Sequence, residues 1–280
     1  MMIEPDNNRV RVSFETSASL EEAFYALVRS DQLAQWFGTP TAPLRAGGAT
    51  RFEFGDGDFF TVDHIAIERT RRVSYRWRFL GLGPSNRITW RVEPRGLKTE
   101  ITVSDEQFER DDLDVEVMRA GWRDFTDRLS RYLATGERTR YDWRRDIDAG
   151  VELGCNVDRA AARLFATDAL DRWQPWRGDP WRPGAQLRVV DGGDPDVLHL
   201  AQLGRSSHEL RFAITAPGWR HATRCELALA PRRNGSMLTV SHTGWDQIDN
   251  RDANQRNQRQ RFCGLWIYSL KRARVLLGES

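Results

Sequence analysis

Aromatic side chains are the residues whose number and placement most favour a binding site. The chain of 280 residues contains 11 Trp, 13 Phe and 5 Tyr. Aromatic faces suit a flat apolar ligand, and small-molecule pockets are lined mainly by such side chains. An individual aromatic side chain is more often simply part of the hydrophobic core. As a set, these residues are predicted to line a ligand site: Trp36, Phe37, Tyr75, Trp77, Trp90, Trp122, Phe125, Trp173, Trp176, Trp181, Phe212 and Trp266. The segment 174–181, rich in Trp and Pro, is typical of a pocket lid.

The titratable residues provide no recognisable catalytic motif. Five histidines are present, without HExxH or other metal spacing: His64, His199, His208, His221 and His242. A histidine on an inward-facing strand could act as a general base in an aldol-type cyclisation, but a hydrogen-bonded strand residue is commoner. The acidic clusters at 56–58, 109–114 and 191–194 fit turns and a helix start better than a calcium loop. We therefore predict no catalytic residue, no metal and no cofactor.

Composition excludes several classes of protein. The 42 basic residues nearly balance 40 acidic ones, which argues against a nucleic-acid partner. No apolar run approaches the roughly 18 residues of a membrane span, and the polar segment 1–11 does not resemble a signal peptide. The 3 cysteines are odd in number and lack CxxC spacing. We therefore predict that the cysteines are reduced thiols and that the protein is cytoplasmic.

The chain carries the same pattern twice, at an offset of 137 residues. The segment 31–36 (DQLAQW) aligns with 168–173 (DALDRW), and 102–104 (TVS) aligns with 239–241 (TVS). This period is too long for a solenoid or propeller repeat. We predict a first domain over 1–137, a linker over 138–148 and a second domain over 149–280.

The first copy predicts a definite order of elements. Val10, Val12 and Phe14 alternate with polar residues, which indicates a half-buried strand. Ser19 and Glu22 have capping-box spacing before a short helix, and a second short helix carries Trp36. Alternating apolar residues separated by turns follow as far as position 103, and an apolar stripe at helical spacing closes the copy. The second copy repeats this order.

This order resembles the helix-grip fold, and several segments resemble the Hsp90-ATPase-activator-homologue branch of the START/Bet v 1-like (SRPBCC) superfamily. The matching segments are SLEEAF at 19–24, DQLAQWFG at 31–38, RVSYRW at 72–77, GLKTEITV at 96–103 and GWRDF at 121–125. The resemblance implies an α+β fold of two tandem helix-grip domains. Each would be an antiparallel sheet curled around a long C-terminal helix, with a cavity between them.

The resemblance implies a cavity and does not fix a reaction. The function it favours is binding of an apolar, polycyclic or polyketide-type small molecule, for enediyne self-resistance by sequestration or self-sacrifice. A polyketide cyclase or aromatase and an Hsp90-type co-chaperone are the alternatives. The copies differ inside, since Phe24 aligns with Ala161 and Phe37 with Gln174, so we expect unequal pockets. The oligomeric state is not fixed by the sequence, and a monomer is compatible with it.

Overall fold

The structure, a computed structural model, describes residues 9–107, 112–177, 186–189 and 197–278. The chain divides into two compact units. Unit 1 comprises Met1–Phe54 and Phe59–Asp142, and unit 2 comprises Gly55–Asp58 and Trp143–Ser280. Each unit has its own seven-stranded antiparallel sheet and its own long C-terminal helix. The predicted α+β fold class is thus confirmed.

Unit 1 has the predicted order of elements. Its sheet runs β1-β7-β6-β5-β4-β3-β2. The elements are β1 Arg9–Thr16, α1 Leu20–Val28, α2 Ser30–Trp36, β2 Thr39–Pro40, β3 Thr50–Glu53, β4 Phe59–Glu68, β5 Arg72–Phe79, β6 Asn86–Arg95, β7 Lys98–Glu106 and α3 Asp112–Thr135. The capping box at Ser19 and Glu22 is formed and starts α1.

Unit 2 repeats the same topology, with sheet order β8-β14-β13-β12-β11-β10-β9. Asn156, at the position of Ser19, caps the first helix through its side chain. The elements are β8 Ile147–Leu153, α4 Val157–Leu164, α5 Thr167–Trp173, β9 Trp176–Arg177, β10 Gln186–Val189, β11 Val197–Arg205, β12 Glu209–Thr215, β13 Thr223–Arg232, β14 Gly235–Thr243, a 3-10 turn Trp245–Gln247 and α6 Asp252–Leu276.

Strand register preserves the offset of 137 residues. Ile88 on β6 lies opposite Asp105 on β7, and Cys225 on β13 lies opposite His242 on β14. The long helices follow an offset of 144 residues (266 − 122), since Trp122 and Trp266 make equivalent hydrogen bonds to the sheet. Equivalent positions of α3 and α6 are therefore defined by the contacts of Trp122 and Trp266 with the two sheets.

The long helix of unit 1 packs on its sheet with an apolar stripe. Trp122 and Leu129 of α3 are fully buried in one cluster with strand residues such as Val103 and Ile88. The burial of this stripe follows from its helical spacing. Within the residues that the structure describes, no helix is long and apolar enough to cross a membrane.

Candidate functional site

The interior of unit 1 is a stack of aromatic rings. Trp77 lies parallel to Phe60, with ring centroids 3.9 Å apart, and parallel to Trp122 at 5.0 Å. Phe37 contacts Phe125 edge-on at 4.8 Å. These distances are those of rings in direct contact. The aromatic residues predicted to line a pocket here therefore pack against one another.

The other predicted residues of unit 1 are held by hydrogen bonds. Trp36 donates its indole N–H to the carbonyl oxygen of Ala26 at 2.9 Å, and Trp90 donates to the hydroxyl of Tyr75 at 3.2 Å. Burial raises the pKa of the Tyr75 hydroxyl above its ordinary value. These contacts fix the ring orientations and keep Tyr75 neutral.

A carboxyl group lies at the centre of unit 1. Asp105 on β7 is fully buried. Its Oδ2 accepts the indole N–H of Trp122 and its Oδ1 accepts the amide N–H of Asn86, both at 2.9 Å. The sequence analysis did not single out Asp105 or Asn86. A signal was present, because each aligns with a polar residue of the second copy, His242 and Thr223.

Unit 2 has an imidazole in place of that carboxyl group. His242 Nδ1 accepts the indole N–H of Trp266 at 3.0 Å, and its Nε2 lies 2.8 Å from the hydroxyl of Thr223. Because Nδ1 accepts, Nε2 carries the proton and donates it to that hydroxyl. Trp266 is thus the counterpart of Trp122. Burial lowers the pKa of His242 to about 3, so the ring is neutral near pH 7.

The remaining histidines lie away from the interior. His64, His199 and His221 are exposed, and His208 is half-buried beside Asp158. Both ring nitrogens of His242 are hydrogen-bonded, to Trp266 and Thr223. A general base in a cyclisation needs a ring nitrogen that can reach the substrate. Among the described residues, no group of three or more His, Cys, Asp or Glu side chains could hold a metal ion.

Trp176 contacts two of the other aromatic residues predicted for unit 2. Trp176 lies 5.3 Å from Trp266 and 6.3 Å from Phe212 between ring centroids, edge-on to both. Trp173 donates its indole N–H to the carbonyl oxygen of Leu164. The expectation of a lid was wrong for Trp176, which is fully buried on β9. Trp181 lies outside the described residues.

Three polar side chains inside unit 2 have no hydrogen-bond partner among the described residues. They are Gln174 at Nε2, Trp176 at Nε1 and Ser269 at Oγ. All three residues are buried, with at most 2% of their surface exposed. Buried polar groups are nearly always paired, so an unpaired set calls for an explanation. Of these three residues, only Trp176 was predicted from the sequence to line a ligand site.

A buried ion pair forms a second polar cluster in unit 2. Arg259 donates through Nη1 to Asp58 Oδ1 and to the carbonyl oxygen of Asp56, both at 2.7 Å. Burial raises the pKa of Asp58, and the adjacent guanidinium opposes this rise. The sequence predicted only a turn here. Gly57 has a positive φ, and a Cβ would come within 3.0 Å of Cys263, so both the turn and its packing require glycine.

The cysteines are free thiols. Burial raises the pKa of Cys263 to about 12 and that of Cys225 well above its ordinary value. A thiol reacts as its thiolate, so these two buried thiols are poor nucleophiles.

Comparison with known proteins places this geometry in a family. Residues 17–134 match the family Activator of Hsp90 ATPase homolog 1-like protein. A search of curated proteins finds no match. Among solved structures, DynU16, a protein of the dynemicin biosynthetic locus, is 34% identical, with a TM-score of 0.86 over 98% of this chain and 100% of its own.

Two further solved structures are similar at a lower level. CalU16 from Micromonospora echinospora is 20% identical, with a TM-score of 0.40 over 46% of this chain and 77% of its own. The di-domain ARO/CYC StfQ of the steffimycin biosynthetic pathway is 14% identical, with a TM-score of 0.39 over 96% of this chain and 98% of its own.

The chain belongs to the AHSA1-like family of the SRPBCC superfamily. The similarity to DynU16 covers both units of the chain.

Proposed function

We propose that the protein binds an apolar, polycyclic or polyketide-type small molecule between sheet and long helix, and that this binding protects a cell from an enediyne-type antibiotic by sequestration or self-sacrifice. The observation that carries the proposal is the similarity to DynU16 over 98% of the chain, because DynU16 comes from an antibiotic biosynthetic locus. Members of the superfamily bind small hydrophobic ligands, which agrees with the aromatic side chains of Trp176, Phe212 and Trp266 inside unit 2.

The interior chemistry supports binding over acid–base catalysis by histidine. The one fully buried histidine, His242, is neutral near pH 7 and bonded at both nitrogens. Aromatic faces and uncharged donors instead suit a flat, neutral ligand. A carrier or a sequestering protein needs nothing more than such a surface.

Intact-protein mass spectrometry tests the proposal, under native and then denaturing conditions, after incubation with enediyne and flat polycyclic natural products. A bound mass that disappears on denaturation supports sequestration. Chain fragments or a covalent mass gain support self-sacrifice, and the fragment masses locate the cleavage. An altered small molecule with an unchanged chain, or no effect from any compound, contradicts the proposal.

A further inference from the structure

The three unpaired side chains of unit 2 lie on elements that meet in its interior, because α5 packs against α6 and Trp176 contacts Trp266 of α6. Gln174 ends α5, and Trp176 begins β9 two residues later, so both side chains belong to the connection between α5 and β9. Ser269 lies one helical turn after Trp266 on α6, on the side that meets Trp176 at 5.3 Å. Donors from a strand and a long helix thus converge.

Unit 1 shows what occupies the equivalent place there. The offset between Trp122 and Trp266 aligns Phe125 with Ser269, and the strand offset aligns Phe37 with Gln174. The rings of Phe37 and Phe125 are in contact at 4.8 Å. In unit 2, an amide and a hydroxyl replace these two rings, so polar groups stand where apolar packing closes unit 1.

The replacement also removes side-chain volume. Trp77, which stacks on Phe60 and Trp122 in unit 1, aligns with Ile214 in unit 2. In the opposite direction, Trp176 adds one ring to unit 2, because the aligned residue of unit 1 is Thr39. Among these described positions, unit 2 loses the rings of Phe37, Trp77 and Phe125 and gains that of Trp176, next to three unpaired polar atoms. A cavity lined by polar groups holds either ordered water or a ligand.

The chemistry of the three groups selects the ligand. The indole N–H only donates, the Gln174 amide nitrogen only donates, and the Ser269 hydroxyl can donate. All are uncharged, so a neutral acceptor pairs with them without burying a net charge. The rings of Trp176, Trp266 and Phe212 offer apolar faces and edges beside them.

We infer that unit 2 is the binding unit and that Gln174, Trp176 and Ser269 hold a carbonyl-type oxygen of a flat, uncharged polycyclic ketone or quinone. Unit 1 serves as a packed structural copy. This inference rests on the proposed function and specifies its site and its ligand class.

A matched pair of probes tests the inference on the full chain. The tricyclic ketone 9-fluorenone and its parent hydrocarbon fluorene share a ring system and differ at the carbonyl oxygen. We expect 9-fluorenone to bind at least about tenfold more tightly by isothermal titration calorimetry, because fluorene leaves the buried donors unpaired. Equal affinities, or no binding of either probe, overturn the inference.

Variants locate the site. Ser269→Ala and Trp176→Phe should each weaken 9-fluorenone binding about fivefold and leave fluorene nearly unaffected. Ser269→Phe, which introduces the ring of unit 1, should abolish binding of both probes. The control is Ser236→Ala, another buried hydroxyl of unit 2, bonded to the carbonyl oxygen of Cys155. It should leave both affinities unchanged. Unchanged 9-fluorenone binding in all three site variants overturns the inference.

The two proposals fail in different ways. If the natural polycyclic compounds bind but 9-fluorenone does not, or binds without dependence on Ser269 and Trp176, the site and ligand class are wrong and the proposed function stands. If the wild-type chain binds none of these compounds, both are wrong. In either case, ordered water would pair the three groups.

Discussion

The two units use one framework to hold an indole N–H and differ in what accepts it. In unit 1, Trp122 donates to the carboxyl group of Asp105, and in unit 2, Trp266 donates to the imidazole of His242. The strand register around both acceptors is the same. The helix is therefore fixed to the sheet by a buried hydrogen bond in both units, while the acceptor and its second partner have diverged.

The units also differ in how their interiors are completed. Stacked rings close unit 1, whereas the buried polar atoms of unit 2 that have no partner among the described residues include Gln174 Nε2, Trp176 Nε1 and Ser269 Oγ. Duplication thus separates two requirements that conflict in one domain. A fully packed interior is stable, whereas a site that takes a ligand must leave space and unpaired groups.

The largest expected effect concerns the ion pair of unit 2. Arg259 aligns with Val115 of unit 1 by the helix offset, so the charge is a feature of one unit. Arg259→Met removes the buried partner of Asp58 and leaves the partly exposed Arg144, whose Nη1 lies 3.3 Å from Asp58 Oδ2, so we expect unit 2 to lose about 3 kcal/mol of stability. Chemical unfolding followed by hydrogen–deuterium exchange resolves the units.

Arg251→Met is the control, since Arg251 pairs with Asp249 at the surface with 79% of its side chain exposed. We expect it to change stability by less than about 0.5 kcal/mol. Equal losses of stability in Arg259→Met and Arg251→Met would show that the buried ion pair stabilises unit 2 no more than a surface pair does.

A pH effect should separate the two indole acceptors. His242 has its pKa lowered from 6.5 to about 3, so the unfolded chain takes up a proton between these values and the folded unit does not. Unit 2 should therefore lose about 1.4 kcal/mol per pH unit below 6.5, or about 2–3 kcal/mol at pH 4.5, and keep this contribution above 6.5. Thermal unfolding from pH 4.5 to 7.5 measures it.

His242→Gln is the matched variant, because an amide offers an acceptor and a donor but does not titrate in this range. Its unit 2 should show a shallower pH dependence than the wild type, with other titrating groups contributing equally to both. An identical slope in wild type and variant would contradict the assignment of this dependence to His242.

Removing the indole N–H should act locally in each unit. Trp122→Phe and Trp266→Phe each remove one hydrogen bond from a buried acceptor, Asp105 or His242, at a cost of about 1–3 kcal/mol. Exchange should rise in β6 and β7 for Trp122→Phe and in β13 and β14 for Trp266→Phe. If either variant raises exchange equally in both units, the two hydrogen bonds are not independent supports of their own sheets.

The helix caps should give the smallest and most similar effects. Ser19 Oγ accepts the N–H of Glu22, and Asn156 Oδ1 accepts the N–H of Arg159. Ser19→Ala and Asn156→Ala should each cost about 1 kcal/mol. Thermal unfolding of each variant measures the cost. A difference of more than about 1 kcal/mol would show that the repeated caps are not equivalent.

The sequence predicted the fold well and the site incompletely, for physical reasons. Repeat alignment and alternating patterns identify strands and long helices, since burial imposes their periodicity. The same alignment pairs Asp105 with His242, but a polar residue on an inward strand is usually satisfied locally. Only contacts show that both accept a tryptophan N–H.

The helix correspondence was hidden by an insertion. Seven more residues (144 − 137) separate the long helices than separate the strands, so the strand offset does not align Phe125 with Ser269. Selection by aromatic type alone then placed seven of the twelve predicted site residues in unit 1 and five in unit 2. It also missed Gln174 and Ser269, whose interest comes from being buried and unpaired.

The most direct test is nuclear magnetic resonance of the tryptophan indole N–H groups during titration with 9-fluorenone, with Trp176 assigned through Trp176→Phe. We predict that the Trp176 signal shifts downfield as its unpaired N–H gains a carbonyl partner. The signals of Trp36 and Trp122, already bonded to Ala26 and Asp105, should stay in place. An unmoved Trp176 signal, or shifts confined to Trp36 and Trp122, would contradict the assignment of binding to unit 2.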